Sequence, residues 1–170
     1  RGNMNLTSRF GSIIEDPTAD VSISNNGTLT ATASAGSITI GNTTHTAGST
    51  TGNIVTFNAT APNGQVTVFS NNSTALGNIN ANSLTVNVNG GNGNITQSGS
   101  IKVFGTANFT ASRNIALSNT TNNFGRVFLT TSNTTSNIQV TEAGTLNLGA
   151  VTMPGGSTGN FSATSVAGDI

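Results

Sequence analysis

The chain of 170 residues has no cysteine, tryptophan or tyrosine, only three prolines, and ten charged residues whose signs cancel. Each absence removes a class of answer. Without cysteine there are neither disulfides nor thiolate metal sites. A net charge of zero argues against a nucleic-acid partner, for which a basic stripe is expected. No apolar run approaches the roughly 20 residues that span a bilayer, and no helical pattern suggests an interfacial anchor, so membrane insertion is not expected. Apolar residues make up 34% and charged residues 6%, both well under the usual share for a globular chain. Low hydrophobicity alone suggests disorder, but disorder also needs high net charge, which is missing here.

What fills the chain instead is small and polar: 26 Asn, 30 Thr and 19 Ser occupy 75 of the 170 positions, beside 21 Gly. Thr, Val and Ile favour pleated strands, whereas Asn and Gly favour corners. The composition therefore reads as all-β with many short turns. The length suits one domain or one stretch of a longer array. The start at Arg1, without an initiator Met or a signal peptide, fits a processed piece or an excised segment.

The stretch LTATASAGSITI, from Leu29 to Ile40, shows the pattern on which the fold class rests. Leu29, Ala31 and Ala33 alternate with hydroxyl residues, a Ser-Ala-Gly corner follows, and Ile38 and Ile40 alternate again. FNATAPNGQVTV matches it position for position: Phe57, Ala59, Ala61, Gly64, Val66 and Val68. LTTSNTTSNIQV from Leu129 keeps Ile138 and Val140 at the same offsets, with Ser136 in the glycine place. FSATSVAGDI from Phe161 keeps Ala163, Gly168 and Ile170, and looser copies start at Leu6, Leu84 and Phe109. Seven starts, at 6, 29, 57, 84, 109, 129 and 161, imply a mean period of about 26 residues. A second recurrence places Asn or Asp directly before Ile, at Asn53, Asn78, Asn94, Asn114, Asn137 and Asp169. The Ile then begins a strand facing inward, and stacked Asn side chains supply amide ladders. A fixed inner pattern with variable spacing is the mark of a β-solenoid, whose coils bury the same positions while one corner varies in length. Six to seven coils spaced about 4.8 Å apart make a rod roughly 30 Å long. A globular sandwich is the structural alternative, because it too carries strands every 8–12 residues.

Catalysis finds little material. The carboxylates are Glu15, Asp16, Asp20, Glu142 and Asp169, and a glycosidase needs two of them facing each other about 5–10 Å apart. Glu15, Asp16 and Asp20, with an oxygen from Thr18, are a candidate Ca²⁺ set, set against a solvated turn begun by Asp16-Pro17. Glu142 in TEAG and Asp169 in AGDI sit at corners, where carboxylates accept hydrogen bonds from backbone N–H groups. His45 is the single histidine, with no acid near it in sequence, and reads as a surface-loop residue. Arg113 and Arg126 are expected to reach solvent over apolar stems, with contact to anionic glycans as the alternative. Asn-X-Ser/Thr sequons occur at Asn5, Asn26, Asn42, Asn58, Asn71, Asn72, Asn94, Asn108, Asn119, Asn133 and Asn160. Chance predicts nearly as many, so glycosylation is permitted rather than indicated. Thr28, Thr30 and Thr32 form one line of an ice-binding type. The positions aligned with it are mixed (Asn58 and Thr60, Thr130 and Ser132, Ser162 and Thr164), so ice binding is a minor alternative. The expectation is no catalytic residue, no metal site and no cofactor; the binding residues are left open.

The region from Phe109 to Val151 carries a resemblance. Its NIALSN strand, the NNFG corner followed by VFLT, the NIQVTEAG strand and turn, and LNLGAV resemble the repeats of bacterial filamentous-haemagglutinin-like exoproteins, the large adhesins exported by two-partner secretion. SATSVAGDI looks like the start of a further unit, and the first 80 residues share only the looser coil pattern. Arg126 departs from the repeats, which commonly place a second glycine there. The resemblance implies a right-handed parallel β-helix in a long extracellular filament at the bacterial cell surface. The implied partners are receptors or glycans of a host or neighbouring cell, or copies of the chain end to end. The secretion domain of such exoproteins is not evident in these residues, and autotransporter passengers have similar coils. The reading is thus one β-helical segment over residues 1–170, part of a longer filament, acting as a shaft or adhesive surface. A polysaccharide-active β-helix of the lyase or tailspike type and a self-assembling fibre subunit are the alternatives.

Overall fold

The computed structural model describes residues 3–16, 27–41 and 56–170. Among them are thirteen strands and no helix. The short strands are β1 (Met4–Ser8), β2 (Ile13–Ile14), β3 (Thr28–Ala33), β4 (Ile38–Ile40), β7 (Ile95–Gln97) and β9 (Ile115–Leu117), with β11 (Ile138–Glu142), β12 (Leu148–Thr152) and β13 (Phe161–Ser165) near the C-terminus. The long ones are β5 (Thr56–Ser70), β6 (Thr74–Val88), β8 (Ile101–Ala111) and β10 (Asn123–Thr131). All pair in parallel within one sheet, which winds into a β-solenoid of about six turns.

Each coil has three faces. The first stacks β1 on β3, β3 on the start of β5, and then segments of β6, β8 and β10. The second stacks β2, β4, the later parts of β5, β6, β8 and β10, and finally β12. The third runs from the start of β6 through β7, β9, β11 and β13. The long strands are long because they run round a corner without losing the ladder. Register shifts at Ala61/Gln65, Ala81/Leu84 and Phe124/Arg126 mark where they bend between the first and second faces.

The interior is built from stacked columns of like residues. Ala31, Ala59, Ile79 and Ile101 line the first face, and Ile38, Val66, Leu84, Ala107 and Val127 the second. Ile95, Ile115 and Ile138 line the third. All twelve are at most 3% exposed, and burying each of the nine Ile, Leu and Val side chains among them contributes about 1.5–3 kcal/mol. LTATASAGSITI behaves as its alternation predicts: Leu29, Ala31, Ala33, Ile38 and Ile40 are all buried, and the residues after the corner start the next face. The corner glycines are required by close approach. A Cβ on Gly64 would run into the Gly36 carbonyl, and one on Gly36 into Gly11, so three successive coils touch backbone to backbone there.

The structure corrects the repeat register. Leu29 and Phe57 are true partners on the first face. Leu84, Phe109 and Leu129, however, lie on the second face, and Phe161 lies on the third. Leu6 pairs with Ala31, so the first coil begins at Met4 instead. The seven look-alike starts are one strand–corner–strand pattern used at different corners. The advance per coil is 25 residues from Met4 to Leu29, 28 from Leu29 to Phe57, 18 from Val66 to Leu84 and 23 from Ile138 to Phe161. Every corner makes the same demand, alternation followed by a small polar turn, so local sequence does not say which corner it is.

Candidate functional site

Polar residues at the corners are organised into ladders that run along the rod. At the corner before the third face, the Ser73 hydroxyl accepts the Asn94 backbone N–H (3.0 Å). Asn94 Oδ1 accepts the Asn114 N–H (3.1 Å), Asn114 Oδ1 that of Asn137 (2.7 Å), and Asn137 Oδ1 that of Asn160 (2.9 Å). The Asn-Ile recurrence at 94, 114 and 137 is this ladder, extended by Asn160-Phe161. Asn78 belongs to a different corner, where Asn58 Oδ1 accepts its N–H (2.8 Å) and its own Oδ1 accepts from Ser100 (3.0 Å). The inward isoleucines predicted after these residues are buried at Ile79, Ile95, Ile115 and Ile138, but Ile170 is 65% exposed. Asn53 lies outside the described residues.

Asn122, the first residue of the NNFG corner, is fully buried. Its Nδ2 donates to the Thr141 carbonyl (3.1 Å) and to Gln97 Oε1 (3.1 Å), and its Oδ1 accepts the Ile101 N–H (3.1 Å) and the Gln97 amide. One side chain thus ties together three successive coils. Nothing in the local sequence marks this role, because the NNFG motif does not distinguish Asn122 from the exposed Asn123.

Two of the carboxylates, Glu15 and Glu142, accept from the backbone. Glu142 is 3% exposed, and its Oε2 accepts the Phe124 N–H (3.0 Å). Burial raises its pKa above the ordinary 4.5, opposed by hydrogen bonds from the Phe124 and Gly144 backbone. The native carboxyl therefore holds its proton at a pH where the unfolded chain has lost it, and stability falls as pH rises through and beyond 4.5. Glu142→Gln is expected to remove this slope, so that the variant gains on the parent between pH 4 and pH 7 in urea unfolding. A difference that stays constant across that range would contradict the assignment. Glu15 accepts the Gly41 N–H of the next coil, while Asp169 contributes its backbone carbonyl to Leu146 (2.9 Å). Asp20, Thr18 and His45 lie outside the described residues. Among the described residues no three His, Cys, Asp or Glu side chains gather as a metal site.

Two sequons turn out to be turn builders. Asn119 Oδ1 accepts the Thr121 N–H (2.9 Å) and hydroxyl (2.7 Å), and Asn133 does the same with Thr135 at 2.9 and 2.8 Å. The threonine line at 28, 30 and 32 matches Thr56, Asn58 and Thr60 on the next coil, but Thr130 and Ser162 belong to other faces. The outer column on the first face reads Thr7, Thr32, Thr60, Asn80, Lys102, Asn123.

The cations are placed more selectively than the sequence suggested. Arg113 follows β8, at the corner before the third face. Arg126 opens the second face opposite Thr106, and its guanidinium lies 5.0 Å from the centre of the Phe128 ring. Lys102, one coil earlier at the end of the first face, holds its ammonium 4.9 Å from the Phe104 ring. Its neighbour Gly125 makes the close approach at this corner, to the carbonyls of Phe104 and Gly105, and leaves Arg126 room to reach outward.

Residues 63–131, from the first-face corner of β5 to the end of β10, match a family model described as repeats of unknown function (DUF5649). No curated protein and no solved structure matches the chain. The chain is a repeat-containing β-solenoid, similar over its central coils to that family.

Proposed function

We propose that the chain is a rigid, non-catalytic segment of a bacterial extracellular filament or surface adhesin, a shaft that carries or presents an adhesive surface. The observation that supports this best is the continuity of the ladders. Asparagine and serine side chains bond coil to coil from Ser73 to Asn160 along one corner, parallel to an unbroken apolar interior. Such an array resists bending along its whole length and needs no ligand to hold it. Two of its carboxylates, Glu15 and Glu142, are committed to backbone N–H groups, which leaves them poorly placed for acid–base chemistry. The resemblance of NNFGRVFLT and NIQVTEAG to filamentous-haemagglutinin-like repeats supports the extracellular setting and export by two-partner secretion.

The test has two arms. Small-angle scattering of the chain should give dimensions close to one stack of about six coils, independent of concentration, and antibody labelling of intact producing cells should place it outside the envelope. Label confined to the cytoplasm would overturn the proposal. Release of reducing ends from any polysaccharide, lost in Glu142→Gln and Asp169→Asn variants, would favour the enzymatic alternative instead.

A further inference from the structure

We propose that the longitudinal edge between the first and second faces binds an acidic polysaccharide with spaced carboxylates, held by Lys102, Phe104, Arg126 and Phe128. The inference rests on the reading of the chain as an exposed shaft and names what that shaft touches.

The charge pattern comes first. Residues 21–141 contain no carboxylate at all, yet they hold Lys102, Arg113 and Arg126. The first acid beyond them, Glu142, is buried. The central coils therefore carry positive charge with no exposed acid to neutralise it, and an anion meets no repulsion from this surface. The register then concentrates that charge. Asn123 pairs with Lys102 and Arg126 with Thr106, so Phe104 on one coil lies beside Gly125 and Arg126 on the next, one coil spacing of about 4.8 Å away. Both cations are exposed, and each is held over a ring, Lys102 on Phe104 and Arg126 on Phe128. Stacking restrains the long side chains before any ligand arrives, which lowers the entropy lost on binding. Phe104 is 56% exposed although its neighbours in β8, Val103 and Ala107, are fully buried. The same edge carries Arg9 and Phe10 on the first coil, with Phe10 93% exposed, about four coil spacings away.

This combination selects among anions. A duplex or a strand of nucleic acid presents a charge every few ångströms and is gripped by many cations, and an anionic membrane patch is usually read by a cluster of 4–8. Here the cations are few, each is paired with an aromatic face, and uncharged Thr and Asn run alongside. The sparse charges suit a chain whose carboxylates are widely spaced. The Arg126 fork matches a carboxylate, and the exposed Phe104 ring offers apolar surface to the C–H side of a sugar, while Phe128, packed on the next coil at Gly149, holds Arg126 in place. The Thr7, Thr32, Thr60 and Asn80 column supplies hydroxyl and amide partners.

Titration of the whole chain with hyaluronan oligosaccharides, in calorimetry at two salt concentrations, tests this. Saturable binding that weakens with salt is expected, with neutral dextran inert. Lys102→Gln/Arg126→Gln should weaken binding about tenfold or more, Phe104→Ala should weaken it without changing the salt slope, and Arg113→Gln, at another corner, should change it less than about twofold. Circular dichroism of each variant checks that the coils are intact. Absence of saturable binding, an equal loss in Arg113→Gln, or tighter binding to oligothymidine or to phosphatidylserine vesicles would overturn the proposal. Because cell-surface location is measured separately, a chain that reaches the surface yet ignores hyaluronan refutes the edge and leaves the shaft standing.

Discussion

Asn122→Leu is expected to lower the unfolding free energy by about 3 kcal/mol or more, among the largest effects of any single polar substitution in this chain. Leu has the same branching as Asn but bulkier methyl ends, so no cavity is opened and the lost hydrogen bonds, with some crowding added, make up the cost. Asn122 is fully buried, and without it the Ile101 N–H, the Thr141 carbonyl and the Gln97 amide lose partners. A buried group left unpaired costs about 1–3 kcal/mol. Ile101 and Gln97 lie on the coil before Asn122 and Thr141 on the coil after it, so both neighbouring coils are affected, although Gln97 keeps its bonds to the Gly99 carbonyl and the Asn119 N–H. In a domain of this length the midpoint temperature should fall by about 6–12 °C. Urea and thermal unfolding of the variant read this directly. A loss under about 1 kcal/mol would mean that the corner is held by its strands alone.

Phe109→Ala is expected to cost about 3–5 kcal/mol, the range for removing a buried phenylalanine. Phe109 is 1% exposed, and its ring meets that of Phe124 edge to face, with centroids 6.0 Å apart and planes at 79°. It stacks on Val86 of the preceding coil and Leu129 of the following one, so its loss weakens two coil interfaces at once. Solenoid stability is nearly a sum of coil and interface terms. The damage should therefore be local, with hydrogen exchange accelerated first in β8 and β10. Uniform acceleration across all coils would show instead that the chain unfolds as one block.

The local grammar of the fold was legible. Leu29, Ala31 and Ala33, then Ile38 and Ile40, could be assigned to two inward faces from alternation alone, because side-chain direction in a strand depends only on parity. Asn before Ile announced the ladder residues 94, 114 and 137, because an inward isoleucine after a small polar corner is a local pattern. The roles of Glu142 and Asn122 were less visible. Corner duty for Glu142 followed from its place in TEAG, but its partner Phe124 lies 18 residues away on the preceding coil. Asn122 looks like any of 26 asparagines until the coils on either side of it are in place.

The sequence by itself pointed to a β-solenoid and to the inward residues of its central coils, whereas Phe161 and Ile170, placed inward by the same pattern, are 41% and 65% exposed. Composition excluded the disulfide and thiolate-metal classes, and period-two alternation needs no long-range information. The tertiary structure decided which corner each repeat occupies, and with it that Lys102, Arg126 and their two phenylalanines share one edge while Arg113 stands on another. The reason is physical. Coils advance by 18 to 28 residues, every corner uses the same small polar vocabulary, and register is set by hydrogen bonds and packing between residues a full turn apart.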